Sequence, residues 1–207
     1  MKQALTEMLV MQDRMNTRVH ENWIEQGFEW YRAVWVECAE LMDHHGYKWW
    51  KQQRPDLPQL QLEVVDIWHF GMSAIITGEG GVEPSVNRIL RELDQFTASS
   101  AGVLEAAEKL ALHALAEHSF CPRIFRELME AVGMSFGQLH VAYIGKNVLN
   151  FFRQDHGYQS GSYQKLWRGR EDNEHLMELT QTLDSAQPDF ADQLYRALEQ
   201  RYREVSA

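Results

Sequence analysis

Apolar residues recur every three or four positions along almost the whole chain, which is the spacing of one face of an α-helix. Leu5, Met8 and Leu9 show it near the N-terminus. No run of strand length alternates apolar and polar residues between turn signals, so the pattern predicts an all-α protein. The predicted helices cover about residues 2–17, 22 or 26 to 45, 58–76, 84–96, 103–117, 122–132, 135–152 and 171–183, and a last one follows Pro188 to near the C-terminus.

Glycine and proline mark most of the predicted helix ends. Gly46 follows the second helix as a C-terminal capping glycine does. Pro58, Pro84 and Pro122 stand where a proline favours the first turn of a helix. Short connections of this kind pack successive helices side by side, so we expect one helical domain over residues 1–207, built on a four-helix core.

Composition narrows the classes of protein. The 207 residues are 44% hydrophobic, with seven tryptophans and five prolines, which is typical of a globular chain. A formal net charge of −10 argues against a general nucleic-acid surface, because phosphate binding needs an excess of Lys and Arg. No segment approaches the roughly 20 apolar residues of a membrane span. Cys38 and Cys121 are expected to be reduced thiols, and the absence of a signal-like N-terminus predicts a cytoplasmic protein.

Two neighbouring predicted helices each carry a pair of acids three residues apart. The pairs are Glu37 with Glu40, and Glu63 with Asp66. Residues at this spacing share a helix face, so four carboxylates can converge between the two helices. Each pair lies in strongly apolar sequence, where unpartnered carboxylates are costly, and Mg²⁺ prefers such oxygen ligands. The alternative is a solvated acidic face on each helix.

Other metal sites fit the sequence poorly. Di-iron bundles repeat a Glu-x-x-His pair on two helices, whereas only Asp66 and His69 approach that pattern here. Asp43, His44 and His45 form a short run without the Cys or His partners that a zinc site requires. We therefore assign His44 and His45 to a polar helix end, where histidine favours the helix dipole.

A basic and amide-rich segment begins in the second half of the long predicted helix and continues beyond it, at residues 144–173. Lys and Arg supply charge for polyphosphates, and Asn and Tyr supply directed donors. A surface loop is the alternative. The basic residues of this segment are Lys146, Arg153, Lys165, Arg168 and Arg170.

At this point the chain resembles the dimeric, all-α dUTPases of the MazG-like nucleotide pyrophosphohydrolase superfamily. The phrases "GYKWWK", "VDIWHF" and "KNVLNFFRQDHGY", in that order, carry the resemblance to the dUTPase branch, while the two acid pairs mark the superfamily. Residues 79–133 contain no matching motif. The resemblance implies Mg²⁺-dependent hydrolysis of dUTP, and of dUDP, to dUMP. Such a reaction removes dUTP from the nucleotide pool and supplies dUMP for dTMP synthesis.

The resemblance also implies roles for individual residues. Glu37, Glu40, Glu63 and Asp66 match the ligands of two or three Mg²⁺ ions, and Glu37 or Glu40 activates the attacking water, with Glu37 favoured. The residues that match the uracil and deoxyribose contacts are Gln12, Asn16, Trp49, His69 and Phe70. The residues that match or neighbour the phosphate contacts are Asn150, Arg153, Tyr158, Lys165 and Asn173.

Two alternative functions remain open on the sequence. One is a MazG-like pyrophosphohydrolase with a different or broader nucleotide preference, which uses the same metal ligands. The other is a non-catalytic helical module with structural acids. The family resemblance further implies a homodimer, and the net charge and the lack of a long apolar segment predict that it binds neither nucleic acid nor membrane.

Overall fold

The computed structural model describes residues 1–206, and helices make up most of this part of the chain. Two strands and one 3₁₀ turn, Trp23–Gln26, interrupt the helices. The α-helices are α1 Lys2–Val19, α2 Trp30–His45, α3 Leu57–Glu79, α4 Val82–Asp94, α5 Val103–Glu117, α6 Pro122–Ala131, α7 Phe136–Asp155, α8 Asp172–Thr182 and α9 Phe190–Ser206. The predicted all-α class is confirmed.

The start of α2 differs from the sequence prediction. The sequence placed it at Asn22 or Gln26, whereas it begins at Trp30. Gly27 follows the 3₁₀ turn with a φ of 65°, a left-handed conformation that ends the turn and separates it from α2. The later start leaves Glu37 and Glu40 in the middle of the helix, where the spacing of one face holds.

The sequence also missed a small hairpin. Strands β1, Leu166–Trp167, and β2, Arg170–Glu171, pair antiparallel, with Trp167 opposite Arg170. Arg168 and Gly169 form the turn with positive φ angles of 50° and 80°. Two-residue strands are too short to show an alternating pattern, so periodicity does not reveal them.

The chain divides into two compact units, Met1–His140 and a second that begins at Val141. In the first unit α2 packs against α3 and α5, and α1 packs against α3 and α4. Helix α3 is buried on nearly all sides, and the side chains of Val64, Val65 and Ile67 are fully enclosed. A single domain over the whole chain stays a prediction.

The second unit has an aromatic core. The ring of Phe152 on α7 contacts Trp167 of β1 and Tyr202 of α9 edge to face. Helix α8 packs against α9 and β2. Glu171 caps α8, because it accepts a hydrogen bond from the backbone of Glu174 while Glu174 accepts one from the Glu171 backbone.

Two further sequence predictions concern the cysteines and the absence of a membrane-spanning helix. Cys38 and Cys121 are free thiols, as expected. None of the helices within residues 1–206 combines the length and apolar content that a membrane crossing requires.

Candidate active site

Three acidic side chains meet between α2 and α3. Glu37 projects from α2, and Glu63 and Asp66 project from the same face of α3. Each offers one carboxylate oxygen, and the three oxygens lie within 4.8 Å of one another. Glu63 is only 7% exposed. Three hard oxygen donors at this separation form a site suited to a divalent cation such as Mg²⁺.

Burial and mutual repulsion make the ionised form of these carboxylates unfavourable. Burial, with the nearby charges of Asp66, Glu63 and Glu40, raises the pKa of Glu37 from 4.5 to about 8. Without a cation, Glu37 therefore keeps a proton near neutral pH. A bound cation would reverse this balance, because it would stabilise the ionised form of the carboxylates around it.

Glu40 lies at the edge of this arrangement. The sequence grouped it with the other three acids, but the structure brings only Glu37, Glu63 and Asp66 within ligand distance of one another. The Glu40 side chain is exposed, yet its charge contributes to the raised pKa of Glu37. A fourth carboxylate is thus available beside the cluster rather than inside it.

His44 also faces the cluster, which the sequence did not anticipate. Its Nε2 lies 3.6 Å from Oε1 of Glu63. The sequence assigned His44 to a polar helix end, and His44 does lie in the last turn of α2; the structure adds its approach to Glu63. The available signal was its position four residues after Glu40, which places both side chains on one face of α2.

A buried polar cluster contains three of the residues predicted to contact the nucleoside. Gln12 Nε2 donates to Asn16 Oδ1 at 3.0 Å, and both amides also donate to Oγ of Ser73. His69 lies one turn before Ser73 on α3, and its Nδ1 is 2.8 Å from the carbonyl oxygen of Val65. The sequence missed Ser73, although its position four residues after His69 is a usable signal.

The two predicted aromatic contacts have different surroundings. Phe70 stacks on Trp30 with ring centroids 6.3 Å apart, and Trp30 donates its indole N–H to Thr77. Trp49 is 90% exposed and meets Trp50 edge to face. Phe70 therefore belongs to a fixed aromatic group, whereas Trp49 presents a large apolar surface to solvent.

Arg153 is the centre of a second group, in the second unit. Its Nε and one terminal nitrogen each donate to Asp172 at 2.8 Å, in a two-pronged ion pair. The other terminal nitrogen donates to Oδ1 of Asn150 at 3.2 Å, and Tyr163 donates to Asp172 as well. Although burial raises it, these bonds and the charge of Arg153 hold the pKa of Asp172 below its ordinary value.

The remaining predicted phosphate ligands follow Arg153 along the chain. Tyr158 is 52% exposed, and its ring lies 6.0 Å from the Arg153 guanidinium. Lys165 pairs with Glu171 at 3.3 Å, in a half-exposed contact. The Oδ1 atom of Asn173 is buried without a hydrogen-bond partner among the described residues.

A family comparison identifies the chain. The model of a dUTPase family matches residues 4–158, which is three quarters of the 207 residues. The match includes both acid pairs and ends at Tyr158, so Lys165 and Asn173 lie outside it. No curated protein matches the chain. The helical fold and the family match together show that the chain belongs to the all-α dUTPase family and is a dUTP diphosphatase.

Proposed function

We propose that this enzyme hydrolyses dUTP, and dUDP as well, to dUMP with Mg²⁺ held by Glu37, Glu63 and Asp66. One observation carries the proposal: three carboxylate oxygens from two helices lie within 4.8 Å in a largely buried position. Such a cluster is unfavourable without a cation, as the raised pKa of Glu37 indicates. Glu40 is proposed as the fourth ligand, which extends the site toward solvent.

The donor set fits Mg²⁺ rather than softer metals. All of the proposed ligands are carboxylates, and Mg²⁺ favours hard oxygen donors together with waters and phosphate oxygens. When bound, Mg²⁺ neutralises the phosphates, polarises the phosphoryl oxygen and lowers the pKa of bound water. We propose two or three ions, because a phosphate chain and several carboxylates must be neutralised together.

Glu37 is proposed to orient the attacking water and to accept its proton at a carboxylate oxygen. Its side chain lies beside both α3 acids. Water adds to phosphorus, the bond between phosphorus and the bridging oxygen breaks, and the leaving phosphate group departs with that oxygen. From dUTP the products are dUMP and pyrophosphate.

The nucleoside is proposed to bind near the buried polar cluster of Gln12, Asn16 and His69. These side chains are at most 8% exposed, so a hydrogen bond lost to a wrong base is not replaced by water. Phe70 and Trp49 are proposed as apolar surfaces for the base and sugar.

The phosphates are proposed to bind the side chains around Arg153. Arg153 is held by Asp172 and donates to Oδ1 of Asn150. Because the Asn150 oxygen faces Arg153, the N–H₂ group of the same amide faces away from Arg153. Asn150 is thereby prepared as a donor to a phosphate oxygen. Tyr158, Lys165 and Asn173 are proposed as the remaining phosphate ligands.

A nucleotide panel tests this function. Purified enzyme is assayed with dUTP, dUDP, dTTP, dCTP and UTP, each with Mg²⁺ and with EDTA. We expect turnover of dUTP and dUDP that stops in EDTA, and low rates on the other three. Equal rates on dUTP and dCTP would favour the broader MazG-like preference and reject a uracil-specific site.

Variants assign the metal ligands. Asp66→Asn is expected to abolish turnover and to remove the stabilisation by Mg²⁺, whereas Glu105→Gln, on the exposed face of α5, should leave both unchanged. Full activity of Asp66→Asn would show that the cluster is not the metal site.

The assembly is proposed from the family, and the location from the two free thiols. We propose a homodimer in the cytoplasm, and equilibrium sedimentation at micromolar concentration checks the first part. A monomer that retains full activity would contradict the dimer, and recovery of the enzyme outside the cytoplasmic fraction would contradict the location.

A further inference from the structure

Ser73 stands at the centre of the buried polar cluster in the first unit. Its Oγ receives a hydrogen bond from Gln12 Nε2 at 3.2 Å and from Asn16 Nδ2 at 2.9 Å. It donates its own proton to the carbonyl oxygen of His69 at 2.9 Å. Ser73 is completely buried, and Gln12 and Asn16 are 4% and 8% exposed.

The valence of the hydroxyl fixes the direction of each bond. A serine hydroxyl has one hydrogen and two lone pairs. The hydrogen is used by the His69 carbonyl, one helical turn earlier on α3. Both lone pairs must therefore accept, so the two neighbouring amides have to turn their N–H₂ groups toward Ser73.

The same network holds Asn16 in one of its two amide orientations. Asn16 donates to Ser73 through Nδ2 and accepts from Gln12 through Oδ1. Rotating the Asn16 amide by half a turn would set its oxygen against the Ser73 lone pair and its N–H₂ against that of Gln12. Water compensates poorly for the two lost bonds, because these three side chains are almost completely buried.

We propose that Ser73 is a positioning residue that sets the preference for uracil over cytosine by locking the amide of Asn16. The inference rests on the proposed function, in which Asn16 contacts the base. Uracil presents a hydrogen at N3 and an oxygen at C4, whereas cytosine presents a bare N3 and an amino group at C4. The donor and acceptor order is reversed between them, so an amide that cannot rotate pairs with one base only, while a rotating amide accommodates both.

Ser73→Ala tests the role through the ratio of kcat/KM for dUTP to kcat/KM for dCTP. We expect the ratio to fall by about tenfold or more, the size that one or two lost buried hydrogen bonds produce. Most of the change should come from slower dUTP hydrolysis and improved dCTP hydrolysis. A purely structural role would lower both rates together and leave the ratio unchanged.

Ser85→Ala is the matched control. Ser85 is also completely buried on a helix, and its Oγ donates to the carbonyl oxygen four residues earlier, as Ser73 does. It accepts from no amide of the polar cluster. The control should keep the wild-type ratio, and it should lose less stability than Ser73→Ala in thermal unfolding because only one hydrogen bond is removed.

A second pair of variants separates the hydroxyl from packing. Ser73→Thr and Ser73→Val add nearly the same volume, and only threonine keeps the hydroxyl. We expect threonine to retain the dUTP preference relative to valine. A wild-type ratio in folded Ser73→Ala, or equal ratios for the threonine and valine variants, would overturn the inference. If the wild-type enzyme itself fails to prefer dUTP over dCTP, the proposed uracil-specific function fails instead, so the two failures are distinguishable.

Discussion

Glu37→Gln is expected to stabilise the metal-free enzyme while abolishing its activity. The carboxyl of Glu37 has a pKa of about 8 in the folded protein, against 4.5 ordinarily. Between these values the folded state holds a proton that the unfolded state has released. The stability of the metal-free protein therefore falls as pH rises through this window, and the penalty is complete above about pH 8.

The size of the effect follows from the same two pKa values. Taken in full, the difference between a pKa of 4.5 and one of about 8 corresponds to roughly 5 kcal/mol of unfolding free energy. Glu37 is partly exposed, so solvent and salt screen its neighbours, and we expect about 1–2 kcal/mol. Glutamine has nearly the same shape and carries no charge, so it removes the penalty without leaving a cavity.

Urea unfolding in EDTA measures the difference. At about pH 8.5 we expect the variant to be more stable than wild type, and below about pH 4.5 the two should converge, because Glu37 is then protonated in both the folded and the unfolded state. Mg²⁺ should raise the unfolding midpoint of wild type and of the control Glu105→Gln, but much less that of Glu37→Gln. A variant that is less stable than wild type at pH 8.5, or equally stabilised by Mg²⁺, would refute this account of the cluster.

Two further substitutions test the packing inside each unit separately. Arg153→Ala leaves the buried Asp172 carboxylate without its ion-pair partner, and we expect it to lower the free energy of unfolding in urea by about 3 kcal/mol. The control Arg203→Ala removes an exposed ion pair and should lower it by less than about 1 kcal/mol. Equal losses in the two variants would contradict the reasoning. Gly71→Ala places a Cβ 2.5 Å from the ring of a buried phenylalanine and should lower the thermal midpoint, whereas Gly137→Ala has open space in α7 and should leave it unchanged or raise it. Similar midpoints for both glycine variants would show that the close approach relaxes without cost.

The sequence predicted most helices because their signals are local. Apolar spacing gave the faces of α3 and α7, and Pro122 marked the start of α6. The sequence predictions were wrong where two local signals conflict or where an element is very short. Gly27 interrupts an apolar pattern that otherwise reads as one helix, and the hairpin at residues 166–171 has strands of only two residues.

The candidate site was predictable only in part. Residues three apart on one helix share a face whatever surrounds them, so the pairing of Glu63 with Asp66 followed from the sequence. The distance between side chains on different helices depends on how the helices rotate and cross when their cores pack. That packing brings Glu37 into the cluster and leaves Glu40 at its edge.

The sequence by itself determined the helical class, the two acid pairs and the family motifs, since each depends on spacing along the chain. The tertiary structure decided which groups meet: Ser73 with two amides from α1, His44 with Glu63, and Arg153 with Asp172. The physical reason is that burial and hydrogen-bond valence act between side chains distant in sequence. Only packed helices fix those neighbours, and with them the raised pKa of Glu37.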